Sequence, residues 1–471
     1  MSKRSHSSDG DNNNNKRPKN DKIWKKAVNF WVACQRGHIR KVTKMIDSGE
    51  VDINFKYEEA TVLYIAAEKG HLNVVEKLIE KGADINEGRW SISPLYQATY
   101  FKHIDVVKLL IEKGADLNKA NGNGTPITLA SKYESPEIFN ILLEAGADVN
   151  VTDTRGMTSL NMAIKARDQW PWRFERLIKA GVDVNKPDYQ QSTPLFIAVH
   201  YKQVDMVKAI LSNDNFNKDN FNKKNINHDL PFNYAIGRGA GMVNYEICKL
   251  LLEAGADPNR PDGEEGEETT PLYDPCENRD IEAVTFLLDN GADINKTMKL
   301  KWGQKPLHYI TTWGAEGPRG QELFNLFLER NANVNVTNNI MDTPLHQVCW
   351  AGGGGEERAI HVQMAIRLIE AGADVNKVNN AGATPLWIAS RDGMNEIVEA
   401  LIEAGADVNK AVRNNYTALI TEWYNDANQP FNDEPSDNRY DEFDGSSPLL
   451  AAARGGHLAT VGILLSVKNI D

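Results

Sequence analysis

Apolar residues recur along the chain in two kinds of block separated by polar turns. The first kind opens with Thr or Ser followed by Pro, as in SPLYQATYFKH (93–103), TPLFIAVHYKQ (193–203), TPLHQVCWAGG (343–353) and SPLLAAARGGH (447–457); TVLYIAAEKGH (61–71) has Val in place of the proline. A Thr or Ser hydroxyl satisfies the open N–H groups of a helix start and proline fits the first turn, so each block predicts a short helix, closed at Gly70 in the 61–71 copy. The second kind, HLNVVEKLIEKG (71–82), places Val74, Val75, Leu78 and Ile79 on one face at helical spacing and stops at Gly82, which adopts the left-handed conformation freely. The polar residues that follow, ADIN and its variants, predict a turn whose Asp and Asn side chains bond their own backbone.

This helix pair returns at a near-constant interval. LIEKGADIN (78–86) is rewritten as LIEKGADLN (110–118), LLEAGADVN (142–150), LLDNGADIN (287–295) and LIEAGADVN (401–409). The glycines stand 32 residues apart from Gly82 to Gly114, 32 to Gly146 and 35 to Gly181, then 36 from Gly255 to Gly291 and 33 from Gly372 to Gly405. A lone helix pair cannot bury its apolar face, so the period predicts units stacked in an array that write the same interface each time.

The motif TPLHxAAxxGHxxVxxLLxxGADxN is closely matched at 125–150, 193–211, 270–295, 343–376 and 384–409, and in this the chain resembles the ankyrin repeat over residues 30–471, about twelve units. The resemblance implies an all-α, right-handed ankyrin-repeat solenoid with short β-turn fingers. It also implies a non-catalytic protein–protein interaction scaffold that binds partner proteins along a concave face. The expected organisation is a disordered basic tail (1–22), an array (23–410) carrying an Asn/Lys-rich insertion at 213–225, an acidic insertion (411–443) and a C-terminal repeat (444–471) that stops within its second helix and so reads as incomplete. NDNFNKDNFNKKN (213–225) is expected to stay mobile, and 411–443 is too polar to pack.

Composition narrows the function. Fifty-three Lys and Arg against 65 Asp and Glu give a net charge of -12, which argues against a nucleic-acid surface along the chain. No apolar run approaches the ~18 residues of a membrane helix, and MSKRSHSSDG lacks the apolar core of a signal peptide, so the expectation is an intracellular protein without membrane contact. Cys34, Cys276 and Cys349 fall on the second small position of the first helix and Cys248 on an apolar position of the second, with no CxxC spacing, so they read as core thiols. His38, His71, His103, His457, His308 and His346 belong to the motif itself. Asn150, Asn295 and Asn335 form glycosylation sequons only because a Thr follows the motif's Asn. WAGGGGEER (350–358) lacks the Lys-Ser/Thr of a phosphate-binding loop and reads as a lengthened connection. The expectation is therefore a monomer that is no enzyme and needs neither cofactor nor metal.

Function should lie where the chain departs from its own pattern. Lys3 and Arg4, a polar spacer, then Lys16, Arg17 and Lys19 look like a bipartite nuclear-import signal, which names an import receptor as a partner and the nucleus rather than the cytoplasm as the location; a solubilising tail or nucleic-acid arm has the same composition. DGEEGEE (262–268) and KLKWGQK (299–305), with Trp302, lengthen two neighbouring fingers with opposite charge and could pair or bind. In proteins resembling this one, the two residues after the small pair point into the concave groove. Here those slots hold Tyr100, Phe101, Tyr133, Tyr201, Trp313 and Trp350. Trp313 and Trp350 stand beside long loops that could pack on them. Tyr100, Phe101, Tyr133 and Tyr201, with Trp90 on a finger, predict an aromatic stripe flanked by Lys132, Lys165, Arg167 and Lys202. Such a stripe suits a partner segment that is apolar at its centre and acidic at its edges. The alternative function is a substrate-capturing adaptor that recruits other machinery such as a ubiquitin ligase.

Overall fold

The computed structural model describes residues 21–132, 135–166, 171–237, 243–265, 268–297, 303–314, 317–350, 356–412, 445–468 and 470. They form two compact units divided after Asn225. Each is a stack of helix pairs, a short first helix followed by a second. In the first unit the pairs run from Asp21–Gln35 with Ile39–Asp47 to Pro194–His200 with Val204–Leu211; in the second they run from Pro231–Ala235 with Tyr245–Glu253 to Pro448–Arg454 with Leu458–Leu465. The fingers between pairs are tight turns: Lys56–Tyr57 pairs antiparallel with Ala60–Thr61, and Arg89 with Ile92, Asn121 with Gly124 and Asp262 with Thr269 make single bridges. Asp21 and Lys22, assigned from sequence to the tail, already belong to the first helix.

The helix starts follow the chemistry of the motif. The hydroxyls of Thr61, Ser93, Thr158, Thr193, Thr384 and Ser447 each accept the backbone N–H three residues on. Gly70 turns the chain at φ +72°, and a Cβ there would stand 2.5 Å from Nδ1 of His103 in the next repeat. That imidazole bonds through Nε2 to the Glu68 carbonyl at 2.8 Å, as His71 does to the Gln35 carbonyl at 2.9 Å. Motif histidines thus couple repeats. His308 and His346 do the same through the Asp342 and Ala383 carbonyls, and burial pulls both imidazoles down to about 4.

Leu78, Leu110, Leu142, Leu251, Leu287 and Leu401, one per second helix, are fully buried. Burying one such side chain contributes roughly 1.5–3 kcal/mol, which is why the position repeats. Cys34, Cys248, Cys276 and Cys349 are free thiols in this core, and burial pushes Cys34 and Cys248 up to about 12.

The finger Asp and Asn divide their work differently from the expectation that both serve their own turn. Asp does so: Oδ1 of Asp84, Asp116, Asp148 and Asp183 accepts the N–H two residues on. Asn instead crosses to the following repeat. Oδ1 of Asn54, Asn86, Asn118 and Asn150 accepts the N–H of Asp84, Asp116, Asp148 and Asp183, each at 2.8 Å. In the second unit Asn259, Asn295, Asn335 and Asn376 reach Asp293, Asn333, Asp374 and Asp407 at 2.6–2.9 Å.

The same ladder corrects the expectation that 213–225 is mobile. Asn185 Oδ1 accepts the Asn217 N–H at 2.8 Å and the Asn220 amide at 2.6 Å, residues Lys218–Asn222 form a 3-10 turn, and Phe221 is buried edge-on to Phe216. Low-complexity composition concealed two aromatic anchors and a ladder partner. Residues 413–444, nearly all of the acidic insertion, lie outside the described residues. Its ends are pinned at a finger base, where the Val412 N–H donates to Ser446 and the Gly445 N–H to Val412.

Candidate protein-interaction surface

The first helices and fingers of the first unit enclose a groove of about 400 Å³. Its floor is Tyr64 and Tyr96, nearly buried; its walls include Tyr100, Lys132, Arg155 and Met162. Tyr100 ends the helix Pro94–Tyr100 with half of its surface exposed, and Lys132 ends Pro126–Lys132 in the next repeat. Burial and the Glu68 carboxylate push the Tyr64 phenol up, so it remains a neutral donor. Arg155 is fixed by two bonds to the buried Asp153 carboxylate, at 2.8 and 3.0 Å, while its own side chain stays 62% exposed. A guanidinium held this way presents its charge with little entropy left to lose.

The predicted stripe is only partly one site. Tyr100 and Lys132 share the groove. Phe101 is absent from the groove lining but adjoins it: it caps its helix, packs edge-on against Tyr100 with ring centroids 5.1 Å apart, and stacks on His103 at 6.2 Å. Tyr201 caps its helix in the same way and packs edge-on to His200 at 4.9 Å, and Lys202 takes the left-handed turn position at φ +56°. The second slot residue therefore belongs to the turn, because the helix ends one residue earlier than a two-residue slot requires. Lys165 lies within 4.0 Å of the buried Asp188 carboxylate and does not line the groove. Trp90 is 68% exposed and lines a separate hollow of about 340 Å³ with Lys56, Glu59, Glu87 and Lys119. It sits in the left-handed region, φ +48°, with the Arg89 guanidinium 4.1 Å from its ring.

Trp350 belongs to the second unit, half-buried, with Arg391 4.7 Å from its ring centroid, so it packs within its own fold. Trp313 falls in the π-helical stretch Ile310–Gly314. Tyr133, Arg167 and Trp302, and the import candidates Lys3, Arg4, Lys16, Arg17 and Lys19, lie outside the described residues. Sequence reasoning missed Tyr64, Tyr96 and Arg155. The signal for the first two was present: TVLY and SPLY put tyrosine where the motif has histidine.

The model of the family described as ankyrin repeats (3 copies) matches overlapping stretches that run together from residue 12 to 412. The chain belongs to the ankyrin repeat family, whose repeats bind other proteins. It is similar to human ankyrin repeat and SOCS box protein 16, 32% identical over 145 residues, which is 30% of this chain and 29% of that protein. It is also similar to the ankyrin repeat protein YahD of Escherichia coli (strain K12), 30% identical over 164 residues, 33% of this chain and 72% of that one. Human transient receptor potential cation channel subfamily A member 1 is 25% identical over 277 residues, 44% of this chain and 23% of the channel. The match thus spans under a third of the human SOCS box protein and of the channel. Among the described residues no helix is long and apolar enough to cross a membrane.

Proposed function

We propose that the protein is a non-catalytic interaction scaffold whose first unit binds an extended partner segment, apolar at its centre and acidic at its flanks. The observation that carries this reading is the half-exposed Tyr100 ring sharing one groove with Lys132 and Arg155 above a tyrosine floor. Aromatic anchors in a partly desolvated groove supply affinity, and rim cations supply association rate. Partners recovered with the full chain should be lost or weakened when Tyr100→Ala is purified in parallel. Partners held at wild-type strength by Tyr100→Ala would move the site elsewhere.

The likeness to a SOCS box protein favours a second reading, in which captured partners are delivered to a ubiquitin ligase. Ligase subunits recovered with the full chain, and lost when residues 411–443 are deleted, support that adaptor reading; their absence supports the plain scaffold. For location, the basic tail supports nuclear import. Lys16→Ala with Arg17→Ala should shift a fluorescent fusion from nucleus to cytoplasm, and a wild-type fusion already cytoplasmic would end the idea.

A further inference from the structure

The second unit carries an arrangement of the opposite sign. Tyr273 and Glu277 lie one turn apart on the helix Tyr273–Glu277, and Tyr309 ends the helix Pro306–Tyr309 of the next repeat. Both phenols donate to the same carboxylate oxygen, Oε1 of Glu277, at 3.1 Å from Tyr273 and 3.5 Å from Tyr309. The rings stand edge-on, centroids 5.5 Å apart and planes at 69°. Burial and the Glu277 charge push both phenols up, Tyr309 to about 12, so they stay protonated donors at neutral pH.

Glu277 itself is exposed, and its second oxygen, Oε2, takes no hydrogen bond from any described residue. The two phenol contacts restrict the rotational freedom that an exposed glutamate otherwise has and hold its charge between two half-buried aromatic rings. Asp274 adds negative charge from the same helix, while Arg279 in the following turn acts on Tyr309 in the opposite sense. Beyond Tyr309 the chain makes the π-helical turn Ile310–Gly314, a geometry frequent at functional sites, with the Thr311 and Thr312 hydroxyls both donating to the His308 carbonyl.

We infer that Tyr273, Tyr309 and Glu277 form a receptor for an arginine side chain of a partner protein, separate from the groove of the first unit. A guanidinium is planar and weakly hydrated, so it can lie against a tyrosine face while its N–H groups reach a carboxylate oxygen. With a cation-rimmed groove in one unit and an arginine receptor in the other, one chain can hold two partners of unlike chemistry.

The test uses the full chain and a labelled Gly/Ser peptide bearing two arginines, followed by fluorescence anisotropy. Glu277→Gln should weaken binding about tenfold, the loss expected when a charge-assisted bond is removed. Tyr309→Phe keeps the ring but frees the carboxylate and should weaken it by a smaller factor. Glu329→Gln changes net charge equally at an exposed position elsewhere in the unit and should bind as wild type. Wild-type protein that does not bind the peptide, a Glu277→Gln variant that binds at full strength, or an equal loss in Glu329→Gln would each overturn the assignment.

Discussion

Oδ1 of Asn150 accepts the backbone N–H of Asp183 at 2.8 Å while its Nδ2 donates to the Gly181 carbonyl at 3.3 Å, so one side chain satisfies two backbone groups of the following repeat. The same double reach joins Asn335 to Asp374 and Gly372, and Asn376 to Asp407 and Gly405. Only an amide has both an acceptor and a donor at that distance, which explains why the motif ends in Asn and not Asp.

Asn150→Ala should therefore cost about 1 kcal/mol, the net value of a solvent-accessible intramolecular bond, and should speed hydrogen exchange at the Asp183 amide. Exchange at Asp183 that stays at the wild-type rate would show that the ladder is ornamental.

Leu78, Leu142, Leu287 and Leu401 are fully buried at the same position of the second helix. Each Leu→Ala change should cost roughly 2–5 kcal/mol, with the loss of protection concentrated around the mutated repeat because contacts are mainly with nearest neighbours. Protection lost evenly along the chain would contradict this.

Asn161 stands where His308 and His346 stand in their repeats, fully buried, with neither its Oδ1 nor its Nδ2 bonded among the described residues. Asparagine is too short to reach the next finger as those imidazoles do. Asn161→His should raise stability by about 1 kcal/mol in denaturant unfolding, since it supplies a cross-repeat bond and removes an unsatisfied amide. A loss of stability would mean that the cavity there is too small for the ring.

Acid should loosen the second unit. His308 and His346 are pulled down to about 4, so between pH 4 and 6.5 the unfolded chain binds more protons at these sites and stability rises with pH. Asp342 is pushed by burial up to about 7, so between pH 4 and 7 the folded chain holds the extra proton and stability falls with pH. Two histidines outweigh one carboxyl, leaving a net uptake of about one proton on unfolding between pH 4 and 6.5. Asp342→Asn should steepen that dependence, and urea midpoints measured across the range read it directly.

The fold was legible because repetition writes each interface many times: helix pairs, Thr-Pro starts and glycine stops all stand in the letters. The groove was legible only at Tyr100 and Lys132. At Phe101, Tyr201 and Lys202 one residue of helix length decides whether a side chain faces the groove or caps the turn, and local sequence does not set that length so finely. The closeness of Lys165 to Asp188 is not legible in one copy of the motif because Asp188 lies in the next repeat, and the orientation of Arg155 depends on burial of Asp153. The arrangement at Glu277 needs two repeats in register, which no single copy of the motif reveals.

In the proposed reading, the first unit binds a partner through the groove around Tyr100. A photo-crosslinking amino acid placed at Tyr100 in the full chain, followed by mass spectrometry of the joined peptides, reads the contact itself. Crosslinks are expected to a partner segment with apolar residues flanked by Asp and Glu, and none when Lys132→Glu with Arg155→Glu reverses the rim. Partner crosslinks that form from positions within 213–225 or 411–443 and not from Tyr100 would contradict it.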